Sequence, residues 1–232
     1  IIHAECFGGM IDLILNRRVQ VGFFPWRFVD GEASIGRAVA FLEDKEYDAL
    51  MKKAEGMPKT KFGDVYEIKQ IITTEFNIEG YPSPEFIELV LQVKPNQVTL
   101  VPDDPSQITS NSGWDTKNNL AFLTEVLDRF TRAGIRTSVF VAADVEMVEY
   151  AAKAGADRVE LYTEPYATLY PKDPEAAIAP FFDAAKTARR LGLGLNAGHD
   201  LSLVNLNYLY KNIPWIDEVS IGHALISDAL YM

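Results

Sequence analysis

The chain has 232 residues, of which 48% are hydrophobic and 24% charged, and this composition predicts one or two folded domains with a large core. The formal net charge of −11 argues against nucleic-acid or anionic-membrane partners, because broad capture of either needs a positive field. No apolar run reaches the roughly 18 residues of a membrane span, and the single cysteine excludes an internal disulfide, so we expect a soluble cytoplasmic protein.

The first part of the chain predicts a β-hairpin. Two apolar runs flank residues 29–34, whose sequence VDGEAS contains the Asp-Gly pair that favours a tight turn between antiparallel strands. A helix is predicted over residues 44–56, and a polar stretch follows it. We therefore divide the chain into an atypical N-terminal segment, residues 1–65, and a second domain, residues 66–232.

From residue 71 onward, short apolar strands alternate with longer amphipathic segments. Six strands, each followed by a helix, are predicted over residues 71–78, 97–101, 136–142, 157–162, 193–197 and 218–222. Three of the helices end in a glycine, the residue that helix C-caps favour. This alternation predicts a parallel sheet covered on both faces. It is compatible with a doubly wound sheet, but six repeats at this spacing favour a TIM (β/α) barrel.

Two of the three histidines directly follow a glycine at the end of a predicted strand. These pairs are Gly198–His199 and Gly222–His223. In a (β/α) barrel the chemistry lies at the carboxyl ends of the strands, and the loops after the last two strands often hold phosphate. A glycine lets the backbone approach a ligand, and a helix start offers N–H donors to an anion. The alternative is that the glycines only form turns and the histidines only cap helices.

Two glutamates are candidates for acid/base catalysis. Glu79 follows the first strand of the repeats, and Glu160 lies within a later one, where its apolar neighbours face the opposite way. A carboxylate in a sheet covered by helices has few routes to solvent other than the barrel mouth. Near a histidine it forms a natural proton-transfer pair. The alternative is a structural salt bridge with Arg136 or Arg158.

Thr109 lies in a long loop that is rich in Pro, Asp, Ser and Gly, residues 102–115. Such loops at an active face commonly close over substrate. The end of the same loop, SNSGWD, is equally typical of a plain turn with Asp115 near a helix N-cap. No spacing of His, Cys or Asp typical of a metal site occurs, and no nucleotide-binding glycine motif, so we expect no metal and no cofactor.

Several of these segments closely resemble the pyridoxine 5'-phosphate synthase family of vitamin B6 biosynthesis. The motifs that carry the resemblance lie within residues 73–115, 134–144, 155–167, 194–206 and 217–230. The resemblance covers about residues 69–232 and implies a TIM barrel enzyme, a transferase. Its substrates would be small phosphorylated molecules, 1-deoxy-D-xylulose 5-phosphate and 3-amino-2-oxopropyl phosphate, condensed without a cofactor. It is also compatible with a homo-oligomer.

The resemblance assigns roles to the candidate residues. Glu79 would accept protons, His199 would donate one, and Glu160 would stabilise a transition state. Substrate would be bound by four further residues, the last three of them largely through backbone N–H groups on phosphate: Thr109, Asp200, Gly222 and His223.

The N-terminal part of the chain departs from the family pattern. The family has an Asn-x-Asn or Asn-x-Asp motif, an Arg-bearing loop and a Val-His-x-Arg motif, and none of them occurs in residues 1–68. The last family helices are also shortened at Met232. We therefore expect a barrel that is incomplete or atypical at the N-terminus and truncated at the C-terminus. The alternative to an active synthase is an inactive phosphate-binding barrel, from a fused or truncated reading frame.

Overall fold

A computed structural model describes most of the chain from residue 63 onward and two earlier strands; the described residues are 20–25, 36–41, 63–102, 112–222, 224–225 and 227–228. One compact unit is formed by Val65–Ser227, and the two earlier strands belong to another. These strands, β1 (Gln20–Pro25) and β2 (Gly36–Phe41), pair antiparallel and fall within the two apolar runs of the predicted hairpin. The helix predicted over residues 44–56 lies outside the described residues.

The larger unit is built on a six-stranded sheet in which every neighbouring pair is parallel. The strands follow one another in chain order and are β3 (Asn77–Gly80), β4 (Gln97–Leu100), β5 (Arg136–Val141), β6 (Arg158–Tyr162), β7 (Gly194–His199) and β8 (Glu218–Ile221). Consecutive parallel strands joined by helices are the defining arrangement of a (β/α) barrel wall. The predicted fold class, an incomplete (β/α) barrel, is confirmed.

The helices of this unit connect the strands. They are α1 (Gly63–Ile71), α2 (Pro84–Val93), α3 (Leu120–Arg132), α4 (Val145–Lys153), α5 (Glu164–Leu169), α6 (Pro174–Arg190) and α7 (Leu206–Asn212). Helix α3 shows why they cover the sheet, because its buried residues recur at helical spacing: Leu123, Val126, Leu127 and Phe130. None of the helices in the described ranges is long and apolar enough to cross a membrane.

Side-chain capping and glycine fix the helix ends. Ser83, Asp144 and Asp173 each accept a hydrogen bond from a backbone N–H in the first turn of α2, α4 and α6. The glycines after α3, α4 and α6 adopt the left-handed conformation, as the sequence predicts, with φ values of 77°, 88° and 76° at Gly134, Gly155 and Gly192.

Some elements differ from prediction. The first predicted strand begins at Asn77 and not at residue 71, because Ile71 ends helix α1 and the residues between them are partly exposed. Helix α3 begins at Leu120, after a turn in which Asp115 accepts a hydrogen bond from the backbone N–H of Asn118. The short helix α5 was not predicted, since six residues with a proline are too few to show a period.

The sheet is curled, with a polar concave face. Along β6, Val159 and Leu161 face the helices and are buried, whereas Glu160 points to the concave side, as the two-residue period of a strand requires. Side chains from distant strands meet there: Ser220 Oγ on β8 lies 3.5 Å from Glu79 Oε1 on β3. The unit is therefore a half-barrel whose inner surface carries the polar side chains.

Candidate active site

A cavity of about 410 Å³ opens at the carboxyl ends of the strands. Three of the predicted catalytic side chains line it, each from a different strand: Glu79, Glu160 and His199. The remaining lining residues are Val101, Phe140, Ser220, Ile221 and Gly222. The fold therefore brings two carboxyl groups, an imidazole and the predicted Gly222 turn into one space.

The Glu79 carboxylate is held by hydrogen bonds from two strands. Asn77 Nδ2 donates to Glu79 Oε1 at 2.9 Å, and Ser220 Oγ reaches the same oxygen at 3.5 Å. Thr99 Oγ1 in turn donates to Asn77 Oδ1 at 3.2 Å, which fixes the orientation of the amide. Glu79 itself remains accessible to solvent. It is thus an oriented carboxylate at an open edge of the cavity.

Glu160 is buried, with 2% of its surface exposed. Its Oε2 atom has no hydrogen-bond partner among the described residues. The space that it occupies exists because Gly198 lies on the neighbouring strand β7, two residues beyond Asn196, the register partner of Glu160: a Cβ atom at Gly198 would overlap Glu160 Oε1. A glycine on one strand therefore makes room for a carboxyl group on the next.

Burial and mutual repulsion shift the pKa values of both glutamates in the same direction. Burial raises the pKa of Glu160 well above its ordinary value, and the nearby carboxylates of Glu79 and Glu218 raise it further. Partial desolvation and repulsion from Glu218 also raise the pKa of Glu79, while Ser220, His199 and Asn77 oppose that rise. Because the two glutamates interact, the pair shares its protons. The cavity therefore holds carboxyl groups that keep a proton to higher pH than carboxyl groups in water.

The alternative prediction is that Glu79 and Glu160 form salt bridges with Arg136 or Arg158. The structure instead pairs both arginines with other carboxylates. Arg136 pairs with Glu75, and Arg158 pairs with Glu218 at 3.0 Å. Both arginines also bind amide side chains, Gln97 and Asn196, at the other end of the concave face. These cations are therefore committed to carboxylates other than Glu79 and Glu160.

His199 lies in a strained turn at the end of β7. Its φ angle of 71° falls in the left-handed region, which non-glycine residues rarely adopt. Its Nδ1 atom lies 3.2 Å from Oδ2 of the neighbouring Asp200. The hydroxyl of Thr163 donates to the carbonyl of Gly198 and accepts from the backbone N–H of Asp200 at 3.0 Å. The histidine is thus held in an uncommon conformation by its neighbours on both strands.

The predicted helix start after His199 is wrong. Residues 203–205 form a turn, and α7 begins only at Leu206. The reason is local hydrogen bonding: Asn205 Oδ1 accepts from the backbone N–H of Ser202, and Asn205 Nδ2 donates to the carbonyl of Asp200. The Asp200 N–H is also committed, to Thr163. The phosphate-binding helix start expected at this turn is therefore absent.

Two predicted substrate-binding residues, Thr109 and His223, lie outside the described residues. The end of the Thr109 loop is anchored, because the backbone N–H of Trp114 donates to Phe140 O and its indole N–H donates to Leu100 O. Gly222 is exposed, and no atom of the described residues lies within 4 Å of the position that a Cβ would occupy. No described residue therefore blocks the backbone at Gly222.

Sequence reasoning missed three residues of this site. Asn77 and Ser220 support Glu79, and Thr163 supports the His199 turn. The alternation of strand residues could have revealed the first, since Asn77 is two positions before Glu79 and so shares its face. Nothing in the sequence places Ser220 or Thr163 beside residues far away in the chain. Within the described ranges, no three His, Cys, Asp or Glu side chains cluster as metal ligands would.

The parallel half-barrel and the carboxylate–histidine cavity at its carboxyl edge define the class: a (β/α)-barrel protein of the kind that carries out acid/base chemistry. The family model described as "Pyridoxal phosphate biosynthesis protein PdxJ" matches residues 54–232, and the chain belongs to this enzyme family. This match begins before residue 69, where the resemblance seen in the sequence motifs begins.

Relatives with high identity carry one name. The chain is 84% identical over 169 residues to the pyridoxine 5'-phosphate synthase of Bacteroides thetaiotaomicron. The aligned region covers 73% of this chain and 71% of the relative. The synthase of Bacteroides fragilis is 82% identical and that of Phocaeicola vulgatus 77% identical, with the same coverage of both chains. The family and its place in vitamin B6 biosynthesis are thereby established.

Proposed function

We propose that this chain is a pyridoxine 5'-phosphate synthase. It condenses 1-deoxy-D-xylulose 5-phosphate with 3-amino-2-oxopropyl phosphate and releases inorganic phosphate and water. The observation that carries the proposal is the convergence of Glu79, Glu160 and His199, from three strands, on one cavity of about 410 Å³. The names of the chain's relatives supply the product, and the resemblance of the motifs supplies the two substrates.

Glu79 and His199 divide the proton transfers between them. The ring-closing reaction consists of condensation, dehydration and proton transfer, which carboxylates and imidazoles can perform. Glu79 accepts protons, and its raised pKa makes it a better base than an ordinary carboxylate. His199 donates a proton. Asp200 beside Nδ1 orients the imidazole, and a ring held through Nδ1 exchanges its proton with substrate through Nε2.

Glu160 acts as a hydrogen-bond donor. Its pKa is raised well above the ordinary value by burial and by neighbouring carboxylates, which favours the neutral form of its carboxyl group. A neutral carboxyl group can donate to a substrate oxygen that gains negative charge in the transition state. This use of Glu160 explains why a carboxyl oxygen without a partner among the described residues lies buried against the cavity.

We assign substrate phosphate to the Gly222 turn. No described residue crowds the backbone there, whereas the Asp200 N–H is already bonded to Thr163. A local site is required because the net charge of −11 repels anions from the molecule as a whole. Contributions from Thr109, Asp200 and His223 remain predictions, as do a cytoplasmic location and a homo-oligomer.

The second candidate function is phosphate binding without catalysis. It is favoured by one sequence observation, the lack of the family's Asn, His and Arg motifs in residues 1–68. Under this alternative the Gly222 turn still binds phosphate, but the proton transfers lack one partner.

The test is an assay of pyridoxine 5'-phosphate formation from both substrates. We expect turnover in the wild-type chain and a loss on the order of 100-fold or more in Glu79→Gln and in His199→Asn, because general acid–base groups contribute about that much. Glu88→Gln is the matched control, since Glu88 is exposed on α2 and its bond within the described part of the chain is a local one, to Gln92. Absence of turnover in a folded sample that binds phosphate by calorimetry would favour the second candidate.

A further inference from the structure

We propose that Thr163 is a positioning residue that holds the His199 imidazole in its working orientation. The inference rests on the proposed function, because it assumes that His199 donates a proton. Thr163 does not line the cavity, and it is fully buried between β6 and β7. Its effect would be exerted through the backbone on either side of the histidine.

The hydroxyl of Thr163 is diverted from the bond that its position favours. Thr163 occupies the N-cap of α5, where threonine usually accepts a hydrogen bond from its own helix, but it makes no such bond. The hydroxyl instead crosses to the neighbouring strand, where it donates to the carbonyl of Gly198 and accepts from the N–H of Asp200. The Thr163 hydroxyl therefore bonds to the His199 turn and does not cap α5.

The hydrogen bonds of the Thr163 hydroxyl hold His199, which lies between the two residues that make them. Gly198 contributes the carbonyl before His199 and Asp200 the N–H after it, so that one oxygen atom bridges both peptide groups that flank the histidine. A φ of 71° at a non-glycine residue persists only when the surroundings impose it. Since Gly198 is buried, water is not a ready substitute for the hydroxyl.

The experiment compares Thr163→Val, which removes the hydroxyl at nearly constant volume, with Thr163→Ser, which keeps it. Thr137→Val is the matched control. Thr137 is also fully buried, and its hydroxyl also makes one bond as donor and one as acceptor, to Asp157 Oδ2 at 2.9 Å and from the Asp157 N–H at 3.1 Å. It lies at the opposite end of the strands, away from the cavity.

We expect Thr163→Val to lower kcat by about 10- to 100-fold with a smaller change in KM. A displacement of a catalytic group by about 1 Å can lower the rate by up to about 100-fold. Thr163→Ser should restore kcat to within a few-fold of wild type, and Thr137→Val should leave it unchanged while lowering stability. A wild-type kcat in folded Thr163→Val would overturn the proposal. If that variant does not fold, Thr163→Cys replaces it, and a wild-type kcat there would have the same meaning.

A second readout does not depend on turnover. The chain has three histidines, so the ring resonances of His199 in a ¹H–¹⁵N spectrum can be assigned by their loss in His199→Asn. We expect them to shift in Thr163→Val and to return toward wild type in Thr163→Ser. Unchanged resonances in Thr163→Val would overturn the proposal. If His199→Asn retained turnover, the proposed role of His199 would fail, but the spectra would still decide whether Thr163 holds its ring.

Discussion

At the scale of single residues, the site depends on side chains placed where their chemistry is altered. Glu160 shows this most clearly, because a carboxyl group that is 2% exposed cannot ionise as it would in water. Its place requires Gly198 on the neighbouring strand, since any larger residue there would overlap its carboxyl oxygen. The pair therefore couples a steric requirement on one strand to an electrostatic property of the next.

The raised pKa of Glu160 has a consequence for stability. Between the ordinary value of 4.5 and the higher folded value, the folded state keeps a proton that the unfolded state has lost, so that stability falls as pH rises. We expect Glu160→Gln, which cannot ionise, to lose less stability than wild type between pH 5 and pH 8. Urea unfolding at both pH values measures the difference. Equal losses in the two proteins would contradict the prediction.

At the scale of elements, the helix ends show how local sequence fixes boundaries. Asp173 caps the 17-residue helix α6 by accepting from the N–H of Ala176 at 3.0 Å. At the corresponding position of α3, Asn119 makes no such bond with its side chain. The residue types at the two positions are both common N-caps, and only one of them acts as a cap.

This contrast gives a matched test. Asp173→Ala should lower the free energy of unfolding by about 1 kcal/mol, because it leaves a first-turn N–H without its acceptor. Asn119→Ala should cost clearly less, since Asn119 donates only to the nearby carbonyl of Asp115. Urea unfolding of the two variants measures both values. A larger loss for Asn119→Ala would show that the capping geometry does not govern stability here.

At the scale of the whole unit, a polar network spans the concave face of the half-barrel. Glu218 on β8 accepts from Arg158 on β6 at 3.0 Å and from Gln97 on β4 at 3.3 Å. Asn196 on β7 also contacts the same carboxylate oxygen, at 3.4 Å. One carboxylate therefore ties four strands of the curled sheet, and its charge contributes to the raised pKa of Glu79 and of Glu160.

A double-mutant cycle tests this network. Glu218→Ala should cost about 1–3 kcal/mol, because it leaves the guanidinium of Arg158 partly buried without its partner. The double variant, with Arg158→Met added, should cost less than the sum of the two single changes, with a coupling energy of about 0.5–3 kcal/mol. Urea unfolding supplies all four stabilities. A coupling energy near zero would mean that the ion pair adds nothing to the fold.

The strand order and three site residues could be predicted from local patterns. The apolar runs from residue 97 onward became strands, and Glu79, Glu160 and His199 were identified by their place at or within strands. The first strand was misplaced because the residues after Ile71 have strand-like composition without strand neighbours. The helix expected after His199 failed because the Asn205 side chain competes for the backbone there.

The sequence by itself determined the alternation of strands and helices, the glycine-capped helix ends and the family, because these depend on residues close together in the chain. Only the tertiary structure decided that Gly198 accommodates Glu160, that Arg158 pairs with Glu218, and that Thr163 holds the His199 turn. Each of these contacts joins residues 35 or more positions apart. The pairing of β6 with β7 and the curling of the sheet toward β8 create them, and no local pattern encodes which side chains will meet.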